Sequence, residues 1–222
     1  MSEHIHDDPR HDDARQQLVL ASLPHVAFDG WSSKALLAGG RDLGLTAGAV
    51  ANLCPGGAGE AIEAFSDWAD DAMVGSFAEG ELESLPVRVR IHALVTARLQ
   101  ALEPHAEAVR RGTAWLALPQ NAPLGARLIW RTADRVWYAA GDRSTDHNWY
   151  SKRALLSAVL GPTLLYWLDD RSEDRTATAA FLERRLNDVV KVGGQFGKTF
   201  GRLLSLPDRL FAPPTRLRRR HR

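Results

Sequence analysis

The chain of 222 residues carries 28 Lys and Arg against 27 Asp and Glu, a single Cys and 45% hydrophobic residues. This composition is ordinary for a soluble globular protein, so it excludes a collagen, a low-complexity tail and a disulfide-stapled small domain. The lone Cys54 permits neither an intramolecular disulfide nor a cysteine-based zinc cage. A reducing compartment is therefore expected.

The charge is distributed unevenly, although the formal net charge is only +1. Residues 1–14 carry a net charge of −4, residues 191–222 carry +8, and the part between them carries −3. Such asymmetry predicts an anionic partner for the C-terminal end, either nucleic acid or a membrane surface.

The N-terminal half begins with residues 1–13, which we interpret as a disordered acidic tail without an apolar or Arg-rich targeting segment. Residues 14–56 then read as three short helices. Leu18, Ser22 and Val26 mark the first, the second covers about 33–43, and Thr46 caps the third, which stops before Pro55. These proportions are those of a helix-turn-helix unit.

Longer helix-period blocks follow, separated by prolines and by Gly141. They cover about 60–77, 87–102, 105–118, 123–140, 146–168 and 176–192. The most apolar stretch, residues 154–168, has 15 residues and contains a Gly-Pro pair, which is short of the ~20 that cross a bilayer. The sequence therefore predicts an all-α bundle of nine or ten helices, with a main helical domain over 57–191 and a C-terminal arm over 192–222.

Patterns that would support catalysis are weak. The segment GGQFGKT at 193–199 has three residues between its first Gly and the Gly-Lys pair, where a phosphate-binding loop needs four, and it follows a predicted helix. The single Glu-x-x-His spacing, Glu3 to His6, lies in the polar tail, and Cys54 reads as a small buried residue. We expect no enzyme activity, no cofactor and no metal.

DNA binding is the alternative that the helix-turn-helix proportions raise. Between residues 14 and 60, however, the cations Arg15, Lys34 and Arg41 are balanced by three acids. The third helix, TAGAVANL at 46–53, carries no cation, whereas a DNA-reading helix needs phosphate-neutralising and base-contacting side chains. No nucleic-acid partner is expected.

The C-terminal arm separates into an apolar and a basic stripe at helical spacing. Such a helix is suited to lie in a bilayer interface, although a helix packed on the bundle with a basic tail has the same pattern. Pro207 is expected to kink it. The predicted membrane-binding residues are Phe196, Lys198, Phe200, Arg202, Leu203, Leu204 and Arg209.

An aromatic centre occupies residues 123–170, which hold four of the seven Trp residues. Two helices rich in large apolar groups are able to enclose a hydrophobic cavity, and an aromatic core without a cavity has at least equal support from spacing. The residues predicted to bind lipid are Trp130, Trp137, Leu156, Val159, Leu160, Thr163 and Trp167.

The run GDRSTDHNWYSKR at 141–153 lies between these two helices. With PQN at 119–121, FLERRLNDV at 181–189 and the amphipathic arm, it resembles the lipid-binding coenzyme Q biosynthesis family of the ninth Coq protein and its bacterial relatives. The resemblance covers most of residues 14–205, and it is weaker toward the N-terminus.

This resemblance implies a fold like that of the TetR transcriptional regulators and a non-enzymatic role. Family members bind isoprenoid quinone intermediates, attach to the membrane through the last helix and present substrate to the di-iron demethoxyubiquinone hydroxylase. A partner surface is implied at Asp146, Trp149, Tyr150, Lys152 and Arg153. A chain without a targeting segment is then expected on the inner face of the cytoplasmic membrane. The sequence leaves open whether the chain forms a homodimer. The alternative function is that of a TetR-type ligand-responsive DNA-binding regulator.

Overall fold

A computed structural model describes residues 9–143 and 147–189 of the chain, with side chains given for 10–143 and 149–189. Within these ranges every regular element is helical, so the all-α prediction is confirmed. The nine helices of the described part are α1 (Pro9–Asp29), α2 (Ser33–Asp42), α3 (Ala47–Leu53), α4 (Ala58–Gly75), α5 (Val87–Leu102), α6 (Ala106–Leu116), α7 (Ala122–Ala139), α8 (His147–Asp169) and α9 (176–189).

The helix boundaries follow from local chemistry. Ser32 and Thr46 cap α2 and α3, because their hydroxyl oxygens accept hydrogen bonds from the amides of Ala35 and Ala49 at 3.3 and 3.2 Å. Gly44 ends the α2 turn at a φ of 70°, a left-handed conformation that glycine adopts without steric cost. The predicted helices agree with the observed ones to within a few residues.

One expectation about the N-terminal end is wrong. Helix α1 begins at Pro9, so residues 9–13 belong to a helix and not to a disordered acidic tail. The three-helix unit packs on the rest of the bundle, because Leu18 and Val26 of α1 share one buried apolar cluster with Phe65 of α4 and Trp167 of α8. Helix α1 contacts α2, α4 and α6.

Helix α8 contains the apolar stretch 154–168 and buries one face of it. Leu156, Val159, Thr163 and Trp167 are each at most 2% exposed, whereas Leu165 on the opposite side is 54% exposed. Among the described helices none is both long and apolar enough to cross a membrane.

The turn from α8 to α9 is organised by Asp170. Its carboxylate accepts hydrogen bonds from the amide and hydroxyl of Ser172 at 2.8 and 2.7 Å, and from those of Thr178 at 2.8 and 2.6 Å. These bonds favour the charged form, so they hold the pKa of the Asp170 carboxyl well below its ordinary value.

We expect Asp170→Asn to lower the free energy of unfolding at neutral pH, because the amide turns an N–H toward groups that are themselves donors. A native pKa below the unfolded value of about 3.9 stabilises the fold above that pH, and the contribution disappears as the pH falls through the native pKa. Urea unfolding at several pH values should therefore show a deficit that shrinks below about pH 4. The matched control is Asp169→Asn, at an exposed neighbouring carboxylate; an equal and pH-independent loss in both variants would contradict the assignment.

Candidate functional site

A cavity of about 580 Å³ lies between helices α4 to α8. Its volume falls in the range of small-ligand sites, about 300–1,000 Å³. Its lining is predominantly apolar and includes Trp31, Ile62, Phe65, Val95, Leu99, Leu102, Val109, Leu116, Leu128, Ile129, Leu160, Leu164 and Leu165.

Small residues leave this space open. Ala108 and Gly112 of α6 and Gly125 of α7 all line the cavity. A Cβ atom at Gly112 would lie 3.1 Å from Nε1 of Trp31, the group that donates a hydrogen bond to the carbonyl oxygen of Ala108 at 2.9 Å. The helices pack closely at these small residues, so no side chain projects from these positions into the centre of the cavity.

The cavity has a buried end and an exposed mouth. The apolar lining residues of α4 and α5, such as Phe65 and Val95, are at most 9% exposed. Those at the end of α6, the start of α7 and the middle of α8 are solvent-exposed, namely Ala117, Ala122, Ala126, Pro162 and Leu165. A ligand would therefore enter between α6, α7 and α8.

One polar cluster interrupts the apolar lining. Arg98 Nε donates to Oδ1 of Asp70 at 2.6 Å, and its Nη2 donates to Oγ of Ser66 at 3.1 Å. Thr132 Oγ1 donates to the same Asp70 carboxylate at 3.0–3.1 Å. Ser66, Arg98 and Thr132 line the cavity, and Asp70 lies behind them at 5% exposure.

Two of the seven residues predicted to bind lipid line this cavity, Leu160 and Thr163. The other five lie elsewhere. Leu156 and Val159 fill the core, and Trp167 is 1% exposed with its indole N–H on Glu103. Trp137 donates to the carbonyl oxygen of Lys152, and Trp130 packs on surface aromatics.

The predicted partner residues Trp149 and Tyr150 form an aromatic surface cluster with Trp130. Their ring centroids lie 4.6 Å apart, and Trp130 lies 6.0 Å from Trp149. Tyr150 is 65% exposed, which fits a contact surface. Lys152 pairs with Asp142 at 2.8 Å. Asp146 lies outside the described residues.

Arg153 is not part of the accessible surface, contrary to the partner assignment. It is 3% exposed and bonds to the carboxylates of Asp134 and Asp142 at 2.5 and 3.3 Å. Its guanidinium carbon lies 4.0 Å from the centroid of a Trp149 ring, and its Nη1 donates to the Trp149 carbonyl oxygen at 3.2 Å. Arg153 therefore supports the aromatic cluster from beneath, which its place in a Lys-Arg pair does not reveal.

Three other features of the sequence were candidates for a site, namely Cys54, a metal-binding cluster and the C-terminal arm. Burial raises the pKa of the Cys54 thiol to about 11, so at neutral pH the group is a protonated core residue and a poor nucleophile. Among residues 9–143 and 147–189 no group of three or more His, Cys, Asp or Glu side chains is placed to hold a metal ion. All seven predicted membrane-binding residues lie outside the described part of the chain, so their role stays a prediction.

Of the three cations predicted in the helix-turn-helix unit, Arg41 is exposed and the other two are paired with acids. Arg15 is held by the carbonyl oxygen of Leu53 and by Glu60, and Lys34 pairs with Asp29. Helix α3 has the predicted bounds and is free of Lys and Arg.

The fold is that of the TetR regulators, here enclosing an apolar cavity. A solved TetR transcriptional regulator from Nitrosomonas europaea aligns with a TM-score of 0.64, covering 80% of this chain and 98% of that one at 21% sequence identity. Identity this low establishes the fold alone. The predicted TetR-like architecture is confirmed.

Sequence comparisons give the family. The COQ9 family model matches residues 122–193. The human "Ubiquinone biosynthesis protein COQ9, mitochondrial" is 32% identical over 186 residues, which is 81% of this chain and 58% of the human one. The Drosophila melanogaster protein of that name is 29% identical over 196 residues, or 86% and 59%. This chain belongs to the COQ9 family, and it spans somewhat under three-fifths of the length of these relatives.

Proposed function

We propose that this chain is a non-enzymatic ubiquinone-biosynthesis accessory protein. It binds isoprenoid quinone intermediates in the cavity, associates with a membrane surface and presents substrate to the di-iron demethoxyubiquinone hydroxylase. The apolar cavity between α4 and α8 is the observation that carries the proposal. The names of the relatives support the pathway.

Such a carrier would give an enzyme outside the bilayer access to a substrate that is confined to the membrane. A polyprenyl lipid is confined to the membrane, and burial of apolar surface stabilises it by about 25 cal/mol per Å² wherever it is removed from water. An apolar cavity with an apolar mouth at Pro162 and Leu165 offers the lipid an environment of the same kind. The protein thereby delivers substrate without any chemistry of its own.

The membrane and partner roles are further parts of the proposal. The basic arm over 192–222 would hold the chain at an anionic lipid surface, here the inner face of the cytoplasmic membrane, while the relatives named above are mitochondrial proteins. The exposed aromatic cluster at Trp149 and Tyr150 would meet the hydroxylase. The uncharged helix α3 argues against the alternative, a ligand-responsive DNA-binding regulator.

Ala126→Trp tests the lipid site. Ala126 lines the exposed mouth, so an indole there would occupy the entrance without entering the packed core. We expect isoprenoid lipid that co-purifies with the protein, quantified by mass spectrometry per mole of chain, to fall about tenfold, which corresponds to about 1.4 kcal/mol of lost binding.

The control for this experiment is Ala114→Trp, the same change at an exposed position of α6 outside the cavity. It should retain the bound lipid. If Ala126→Trp carried as much lipid as the unmodified chain, the cavity would not be the lipid site.

A further inference from the structure

The cavity is apolar except at one place on its wall. Of the described residues that line it, Arg98 is the charged one. The hydroxyls of Thr113 and Thr163 also line the cavity, but each donates to a carbonyl oxygen of its own helix, at 2.9 and 2.7 Å. Donation of side-chain hydrogen bonds to a ligand is therefore left to the cluster around Arg98.

The Arg98 cluster has hydrogen-bond donors that are not used by the described residues. A guanidinium has five N–H donors. Nε is bonded to Asp70 and one Nη2 N–H to Ser66, while Nη1 donates to no described residue. Ser66 accepts the Arg98 bond and retains its own O–H for a further partner. These donors face the cavity, because Ser66 and Arg98 both line it.

The net charge of the cluster favours a neutral lipid head group over an anionic one. Asp70 is paired with Arg98 and receives Thr132, so the cluster as a whole is neutral. A second anion would face the Asp70 carboxylate, whereas a neutral oxygen would accept the unused N–H groups without that repulsion. Carbonyl, phenol and ether oxygens on a ring meet this requirement, and a free carboxylate does not.

We infer that the Arg98–Ser66 pair is the head-group subsite of the cavity, which takes an apolar-tailed lipid with a neutral, oxygen-bearing ring. The ring lies at the Asp70–Thr132 end, where the side chains are at most 5% exposed, and the tail extends toward Leu165 at the mouth. This inference rests on the proposed lipid-binding function and adds the residues that hold the ring and the orientation of the lipid in the cavity.

The test compares two probes with the same tail and a six-membered ring, of which one carries two ring carbonyl oxygens and the other carries no oxygen. Equilibrium dialysis of the full chain would measure the affinity for a geranyl-1,4-benzoquinone and for geranylbenzene. A hydrogen bond to a charged group favours the quinone by about 10- to 100-fold. In the double variant Asp70→Leu/Arg98→Met, both charges leave together, so no buried charge is stranded. The preference should then fall to within about twofold while geranylbenzene binds as before.

Two further variants keep the inference falsifiable. Ser66→Ala leaves the ion pair intact and should reduce the preference about threefold, since it removes one neutral hydrogen bond. Glu107→Leu/Arg111→Met removes an exposed ion pair of α6 outside the cavity and should leave the preference unchanged.

The outcomes separate this inference from the function on which it rests. If the unmodified chain binds both probes equally, or if the double variant keeps the preference, the subsite is wrong and the lipid-binding proposal stands. If neither probe binds, the lipid-binding proposal fails and the subsite with it.

Discussion

Gly39→Ala is expected to lower the free energy of unfolding by about 3 kcal/mol, the upper part of the range for overpacked cores. Gly39 of α2 packs against Ser22 of α1. An added Cβ would meet Oγ of Ser22 and would lie 2.6 and 2.7 Å from its backbone N and Cα. A backbone cannot move aside as a side chain can, so the two helices would have to separate. Urea unfolding followed by far-ultraviolet circular dichroism measures the loss.

The neighbouring glycine supplies the control. A Cβ at Gly40 would meet Cγ2 of Val50, which is the end of a side chain. Adding Val50→Ala should therefore recover much of the stability lost in Gly40→Ala, compared with Val50→Ala alone. Adding Ser22→Ala to Gly39→Ala should recover little, because the backbone of Ser22 remains. A Gly39→Ala variant as stable as the unmodified chain would show that α1 and α2 are not packed this closely.

Arg153→Met is expected to cost about 3 kcal/mol of stability and also to weaken binding of the hydroxylase. Removing one partner of a buried ion pair leaves an uncompensated charge, which typically costs 3–5 kcal/mol. Asp142, whose side chain is 8% exposed, loses its bond to Arg153 at 3.3 Å but keeps its ion pair with Lys152 at 2.8 Å, so the lower end of this range is expected. The same change removes the cation beneath Trp149, so the aromatic cluster loses its support. Urea unfolding and pull-down of the purified hydroxylase give the two readouts.

Two variants separate stability from binding. Arg135→Met removes an ion pair with Asp71 in which both side chains are about half exposed, and it should cost less than about 1 kcal/mol. Tyr150→Ala removes an exposed ring, so it should leave stability nearly unchanged and still weaken hydroxylase capture. Capture that is unaffected by Tyr150→Ala would place the partner surface elsewhere.

Prediction from sequence succeeded where the signal is local. Thr46 is predicted to cap α3 because its hydroxyl reaches an amide three residues along the chain, and the structure has that bond. Leu156, Val159, Leu160, Thr163 and Trp167 recur at helical spacing, which places them on one face of α8, and all five are buried. A surface is implied at Trp149 and Tyr150, and Tyr150 is exposed.

Five of the seven residues predicted to bind lipid lie outside the cavity, because spacing identifies a buried face and not what lies opposite it. Trp130 and Trp137 are predicted to line a cavity because they are large and apolar and share a helical face. The space exists instead where small residues such as Gly112 and Gly125 meet across helices. Phe65 and Val95 read as ordinary core positions, and no local signal distinguishes a filled core from an open one.

By itself, the sequence determined the all-α class, the helix boundaries, the absence of cations from α3 and the family to which the chain belongs. These depend on residues close together in the chain, or on motifs read in order. The tertiary structure decided where the cavity lies, that Arg98 is the charge on its wall and that Arg153 is buried under the aromatic cluster. These depend on side chains such as Asp70 and Arg98, which are 28 residues apart and meet only after the helices pack.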